Sequence, residues 1–285
     1  MPIIDFHTHI FPPEIIARRA VYLERDAWFR LLYTNPQAKM ATADDLIAEM
    51  NASGVDIAVT FGFAWADPGL CREANDYVLE AVSHWPERLI GFAVINPAVA
   101  GASAELERCL QKGLRGLGEL MPEGQGYTLD EACLDDVMEQ MAHWKRPVLI
   151  HINEPVGHSY PGKSSSPLQS LYALALRHPE TTVVAAHWGG GLFFYELMPE
   201  VQEALRHVYY DTAASLYLYR ADIYRLATQL IPEKMLFATD YPLISQRRFL
   251  QYVYEAELAT DALESLLGGS ASRLLQIDHL AHLGH

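Results

Sequence analysis

The sequence predicts an α/β protein, a closed (β/α)8 barrel, on three observations. Short apolar runs alternate with amphipathic stretches along the chain, which argues for parallel strands joined by crossover helices. The runs end near residues 7, 60, 94, 119, 151, 187, 211 and 240, and every spacing after the first lies between 24 and 36 residues, the length of one βα unit. The place after the first strand holds His7-Thr8-His9-Ile10-Phe11-Pro12-Pro13 rather than the glycine-rich phosphate loop of a doubly wound open sheet. Eight such units in 285 residues give one barrel, residues 1–285, with residues 10–41 as an insertion over its mouth.

Ile3 to His9 reads as a buried strand. The stretch from Ile10 to Ala41 carries Pro12-Pro13 and the aromatics Phe11, Tyr22, Trp28, Phe29 and Tyr33, and is expected to hold one or two short helices. Thr42 is an N-cap with Asp44 and Asp45 in the first turn, and Ser53-Gly54 ends that helix. Strands are expected at 55–60, 89–94, 114–119, 147–151, 182–187, 208–211 and 235–240. Helices are expected near 70–84, 101–111, 130–143, 167–177, 196–206, 221–230, 246–258 and 261–267, with Ser270 to Leu275 capping the fold.

Composition narrows the function. With 50% hydrophobic and 20% charged residues and no apolar run of membrane-spanning length, the chain reads as a soluble, cytoplasmic protein without a signal peptide. A formal net charge of −15 disfavours nucleic acid as a partner, because such binding needs Lys and Arg against phosphates. Cys71, Cys109 and Cys133 have no metal-ligand spacing and read as reduced thiols. The expected partner is a small-molecule substrate, and a homo-oligomer is compatible with the sequence.

The chemistry lies at the strand ends. His7 and His9 share one face of the first strand, where two imidazoles can hold one ion. His151 closes the fifth run, His187 the sixth and Asp240 the eighth, and Glu119 closes the fourth. The carboxyl ends of barrel strands meet at one face, so residues from 7 to 240 converge on one mouth. One such His reads as a structural residue; the set reads as a divalent-metal site, Zn²⁺ or another ion, one or two per chain. Strand alternation groups Arg115, Leu117 and Glu119 on one face and leaves Gly116 and Gly118 for close helix packing. Asp5 falls on the His7 face one layer deeper, either a partner of the site or a buried structural carboxylate. Trp65 and Trp188 read equally as cavity wall or core. Arg247 and Arg248 read as solvated or as anion-binding, and His84, His143 and His178 as helix-end residues. His279, His282 and His285 read as a solvated tail.

The segments Ile4-Asp5-Phe6-His7-Thr8-His9, Met50-Asn51-Ala52-Ser53-Gly54-Val55-Asp56, Ile150-His151, Ala186-His187-Trp188-Gly189-Gly190, Ala238-Thr239-Asp240-Tyr241-Pro242 and Gly268-Gly269-Ser270-Ala271-Ser272-Arg273-Leu274-Leu275 together resemble the amidohydrolase superfamily. Within it the pattern is similar to the amidohydrolase-related (amidohydrolase 2) group of metal-dependent hydrolases and decarboxylases. Ser270 stands where that group usually has Asn. The resemblance implies that His7, His9, His151 and Asp240 hold a divalent metal and that His187 sits beside the water it activates. Glu119 resembles instead the strand-four acid of two-metal TatD-type nucleases. A metal lowers the pKa of water by roughly nine units, about 12 kcal/mol, so metal activation outweighs the 10²–10⁴-fold of proton transfer. Asp240 and His187 are the candidate catalytic residues. The leading expectation is a hydrolase of an ester, lactone or amide. The alternative is a non-oxidative decarboxylase of an aromatic or unsaturated acid; a nuclease or a non-catalytic binding barrel is less consistent with the charge and the complete ligand set.

Overall fold

The computed structural model describes residues 1–164 and 167–277. The strands are β1 (Ile4–His9), β2 (Ile57–Phe61), β3 (Leu89–Gly91), β4 (Leu117–Leu120), β5 (Val148–Ile150), β6 (Val183–Ala185), β7 (Val208–Asp211) and β8 (Met235–Leu236). All pair in parallel and in chain order, as a sheet β1-β2-β3 and a sheet β4-β5-β6-β7-β8. The two sheets meet at both edges through single parallel bridges, Ala93 to Leu117 and Thr8 to Tyr241. At one seam Gly118 N–H donates to the Ala93 carbonyl at 2.8 Å, and at the other Asp240 N–H donates to the His7 carbonyl at 3.0 Å. This is the parallel-strand α/β order that the spacing predicts. The three histidines of the C-terminal tail, His279, His282 and His285, lie outside the described residues.

The local signals act where expected. Thr42 caps the helix Ala43–Ser53 in a reciprocal capping box with Asp45, and Gly54 ends it at a φ of 81°. Phe6, Phe61, Phe92, Leu149, Val184 and Leu236 fill one buried cluster. Ala58, Leu117, Ile150 and Ala185 belong to a second, with helix residues such as Leu46, Val78, Leu106 and Leu171. Each large side chain so buried contributes about 1.5–3 kcal/mol.

Two irregularities re-aim the strands. Between Asp5 and Thr8, β1 advances three residues while β2 advances two, from Ala58 to Thr60. Between Leu117 and Leu120, β4 likewise outruns β5, which moves only from Val148 to Ile150. An extra residue in one strand reverses the facing of every residue beyond it. Asp5 therefore does not sit beneath the His7 ring. Its carboxylate accepts from Thr239 Oγ1 at 2.6 Å and Gln246 Nε2 at 2.9 Å, joining β1 to the last barrel helix Gln246–Tyr254. Burial pushes this carboxyl up to about 6, against those hydrogen bonds. The expectation of helix packing over Gly116 and Gly118 also fails. A Cβ at Gly116 would lie 2.5 Å from the Phe92 ring and one at Gly118 2.3 Å from the Leu149 carbonyl oxygen, so these glycines make room for neighbouring strands.

The insertion forms three short helices, Pro13–Ala17, Arg19–Arg25 and Ala27–Tyr33. Asp26 ties it down by accepting from Phe29 N–H at 2.8 Å and from Ala66 N–H, in the loop after β2, at 2.9 Å. Phe29 stacks on Tyr33 with centroids 4.6 Å apart and packs on Trp65 at 4.7 Å. Among the described residues no helix is long and apolar enough to cross a membrane.

Candidate metal centre

The carboxyl ends of the strands bring His7, His9, Glu119, His151, His187 and Asp240 together, as the strand-end pattern predicts. Two groups form, His7 with His9 and Asp240, and Glu119 with His151 and His187, the ligand atoms within each lying within 4.8 Å of one another. His7 Nε2 is 3.2 Å from His9 Nε2 and 3.8 Å from Asp240 Oδ1, and His9 Nε2 is 3.4 Å from Asp240 Oδ1. Glu119 spans the two groups. Its Oε2 lies 3.6 Å from His7 Nε2 and 3.8 Å from His9 Nε2, and its Oε1 lies 2.8 Å from His151 Nδ1 and 3.5 Å from His187 Nε2.

Hydrogen bonds behind the rings decide which nitrogen faces inward. His7 Nδ1 meets the Asp211 carboxylate at 2.8 Å, which only accepts, so Nδ1 carries the proton and Nε2 offers its lone pair. His187 Nδ1 donates to the Ala213 carbonyl at 3.1 Å, with the same result. His151 Nε2 donates to Asn153 Oδ1 at 2.8 Å, so His151 presents Nδ1 instead. In the neutral state the inward atoms of Glu119, His151 and His187 are all acceptors facing one another. Such a convergence needs a proton or a cation among them. Donors bound to one ion at ~2.0–2.2 Å sit roughly 3–3.6 Å apart, close to the spacings found here. The donor set fits a divalent ion.

Without an ion, protons serve. Burial disfavours the His7 imidazolium, but the Glu119 and Asp211 carboxylates outweigh it and hold His7 well above its ordinary value. Burial likewise works against charge on Glu119, and the positive charges on His7 and His151 outweigh it, keeping the carboxyl well below its usual range. Against burial, the bond to Glu119 pushes His187 up to about 9. Asp240 is held down to about 2, the His9 bond and the charges on His7 and His187 overcoming burial.

Above the cluster opens a cavity of about 530 Å³. Its walls are mostly apolar and aromatic, with Phe63 and Met121 after β2 and β4, Tyr160 after β5, Tyr217 and Leu218 after β7, and Leu243 after β8. The insertion contributes Leu32, Tyr33 and Lys39. Trp65 and Trp188 are wholly buried outside this lining, and Trp188 Nε1 donates to Ser215 Oγ at 2.6 Å. Arg247 and Arg248 are not among the residues lining the cavity: Arg247 donates to the Ala52 carbonyl and the Arg248 guanidinium lies 6.0 Å from the centre of the Tyr217 ring.

Asp211, Asn153 and Tyr160 do not stand out in the sequence. Asp211 closes β7 as Asp240 follows β8, and that position was the available signal. Its Oδ1 accepts from the His187 N–H at 2.9 Å and its Oδ2 from the His7 ring, so one carboxylate sets both histidines. His187 opens a run with φ of 53° to 94° through Gly191, which turns the chain sharply off β6. His178 lies outside the site and pairs with Asp135 at 2.8 Å. His178→Ala is expected to leave turnover within about twofold of wild type, because its ring pairs with Asp135 and does not line the cavity, measured as kcat beside the parent.

The family model described as Amidohydrolase matches residues 4–277. The chain belongs to the amidohydrolase family. No curated protein matches the sequence. Among solved structures this amidohydrolase is similar to 5-carboxyvanillate decarboxylase from Sphingomonas paucimobilis, with a TM-score of 0.79 at 19% identity over 96% of this chain and 99% of that one. It is similar to the enzyme of that name from Novosphingobium aromaticivorans, complexed with manganese and 4-hydroxy-3-methoxy-5-nitrobenzoic acid (TM-score 0.78, 17% identity, 96% of each chain). A dihydroxybenzoic acid decarboxylase from Polaromonas sp. JS666, with bound manganese and 2-nitroresorcinol, gives a TM-score of 0.74 at 18% identity over 100% of this chain and 99% of that one. At these identities the likeness establishes the fold.

Proposed function

We propose that this amidohydrolase-family enzyme is a metal-dependent, non-oxidative decarboxylase of a phenolic or related unsaturated carboxylic acid. The observation that carries the reading is the acceptor cluster on the floor of an aromatic-walled cavity large enough for one substituted ring. The structural likeness to decarboxylases that bind manganese and nitrophenolic ligands favours this reading over the ester, lactone or amide hydrolase that the water-activating pattern first suggests. Fold alone does not separate the two, because one barrel hosts many chemistries.

His7, His9, Glu119 and Asp240 would hold one ion, and His151 and His187, on the other side of Glu119, would join it or hold a second. A divalent ion held there, manganese, zinc or another, would supply Lewis acidity toward oxygens of the acid. The chain does the rest. The cavity walls hold the ring and exclude water. The carbon–carbon bond breaks, carbon dioxide leaves, and the electron pair left on the ring carbon takes a proton. Asp240 and His187 Nε2 are the groups on the cavity floor placed to move that proton. The chain serves as one catalytic barrel domain, with the insertion 10–41 as part of its wall.

The test is a paired panel. Purified protein, stripped of metal and reloaded with Mn²⁺ or Zn²⁺, is incubated with hydroxybenzoates and with lactones and esters. Release of carbon dioxide with the matching phenol is the expected result. Turnover confined to lactones or esters would overturn decarboxylation in favour of hydrolysis.

A further inference from the structure

We propose that Asn153 is a positioning residue that does two things at once. One end of its amide selects the ring nitrogen His151 presents to the metal centre, and the other end holds Tyr160 in the cavity wall. The inference rests on the reading of His151 as a metal ligand.

Asn153 is 3% exposed, and its polar atoms have defined partners. The backbone N–H of Ser164 can only donate, and it points at one side-chain atom at 2.7 Å, so that atom is the oxygen Oδ1. The His151 Nε2 bond at 2.8 Å goes to the same oxygen, so Nε2 must carry its proton there and Nδ1 must face Glu119. The other atom is then Nδ2, which donates to the Tyr160 hydroxyl oxygen at 3.0 Å. The Tyr160 proton goes outward to the Glu154 carboxylate at 3.1 Å, and Lys163 pairs with that carboxylate at 3.3 Å. Donor and acceptor roles are thus settled from Lys163 to His151 without ambiguity.

The Asn153 backbone is also held. A Cβ at Gly190 would lie 2.3 Å from the Asn153 carbonyl oxygen, so the turn after β6 presses directly on this residue. Tyr160 lines the cavity, while His151 and Asn153 line its base. One amide therefore joins a metal-facing imidazole to a substrate-facing ring.

The test separates the two ends. Mn²⁺ is titrated calorimetrically into metal-stripped wild type, Asn153→Leu, Asn153→Asp and Tyr160→Phe. Loss of an outer hydrogen-bond partner typically costs 10–100-fold in metal affinity, so Asn153→Leu is expected to bind Mn²⁺ at least about tenfold more weakly. Asn153→Asp keeps an acceptor for His151 and is expected to bind at least as tightly as wild type. Tyr160→Phe loses the bond to the wall, and amide hydrogen exchange over residues 154–164 is expected to speed up in it, with Mn²⁺ affinity kept within about threefold of wild type. Equal Mn²⁺ affinity in Asn153→Leu and wild type, or an equal loss in Asn153→Leu and Asn153→Asp, would overturn the proposal. Wild type that takes up no Mn²⁺ would overturn the ligand reading itself and the proposal with it. Should Asn153→Leu not fold, ¹⁵N shifts of labelled histidine in Zn²⁺-loaded wild type decide: a proton on Nε2 of His151 with Nδ1 bare is expected, and a proton on Nδ1, with or without one on Nε2, would overturn it.

Discussion

Asp240→Asn is expected to lower kcat at least about 10²-fold on the acid that the substrate panel identifies, without loss of fold. Asp240 sits just beyond β8 with a φ of 63°, a left-handed conformation that Asp and Asn tolerate better than other side chains. Its N–H donates to the His7 carbonyl and its carbonyl accepts from Leu243 N–H at 2.8 Å, and neither bond involves the carboxylate. Asparagine therefore keeps the backbone while removing the charge. What it loses is an oxygen 3.4 Å from His9 and 3.8 Å from His7 that can both bind a cation and take a proton. His187→Ala is expected to cost a similar factor through proton transfer. With one ion bound, it leaves His7, His9 and Asp240 in place, so most of the metal content should remain by elemental analysis. An Asp240→Asn enzyme with wild-type kcat would show that the chemistry lies elsewhere.

Glu119→Gln is expected to cut metal affinity at least about tenfold and turnover at least about 10²-fold. Glu119 is 3% exposed, and both of its oxygens are directed at imidazole nitrogens, Oε1 toward His151 and His187 and Oε2 toward His7 and His9. A buried carboxylate must be compensated, and here only imidazolium or a metal ion can do so. The glutamine amide replaces one acceptor oxygen with a donor pointed at the same nitrogens. It also removes the charge that keeps His7 above its ordinary value. Metal counting on Glu119→Gln beside wild type, with a metal-saturated structure, checks this. Full metal content in the variant, with the wild-type carboxylate beyond about 3.5 Å from every ion, would show Glu119 is no ligand.

Much of this was legible in the residues alone. The 24- to 36-residue spacing of apolar runs, the Thr42 cap and the Gly54 stop act locally, and the structure obeys them. His7, His9, Glu119, His151, His187 and Asp240 could be gathered into one mouth from sequence because parallel strands of a barrel all end on the same face. The aromatic insertion was visible as a long stretch between two strands, though not its three helices.

The facing of individual side chains was decided by tertiary structure. Period-two alternation is a local rule, and one extra residue reverses it. The irregularities in β1 and β4 separate Asp5 from the His7 ring and let the Glu119 carboxylate reach histidines from β1, β5 and β6. The partners that choose each ring nitrogen, Asp211 for His7 and Asn153 for His151, lie on another strand or in a loop after the strand. Nothing in a linear sequence marks a carboxylate 204 positions away as the acceptor for one particular ring N–H. The residue types at the strand ends thus determined that a cation could be held; which lone pairs face it depended on contacts that exist only once the strands are assembled.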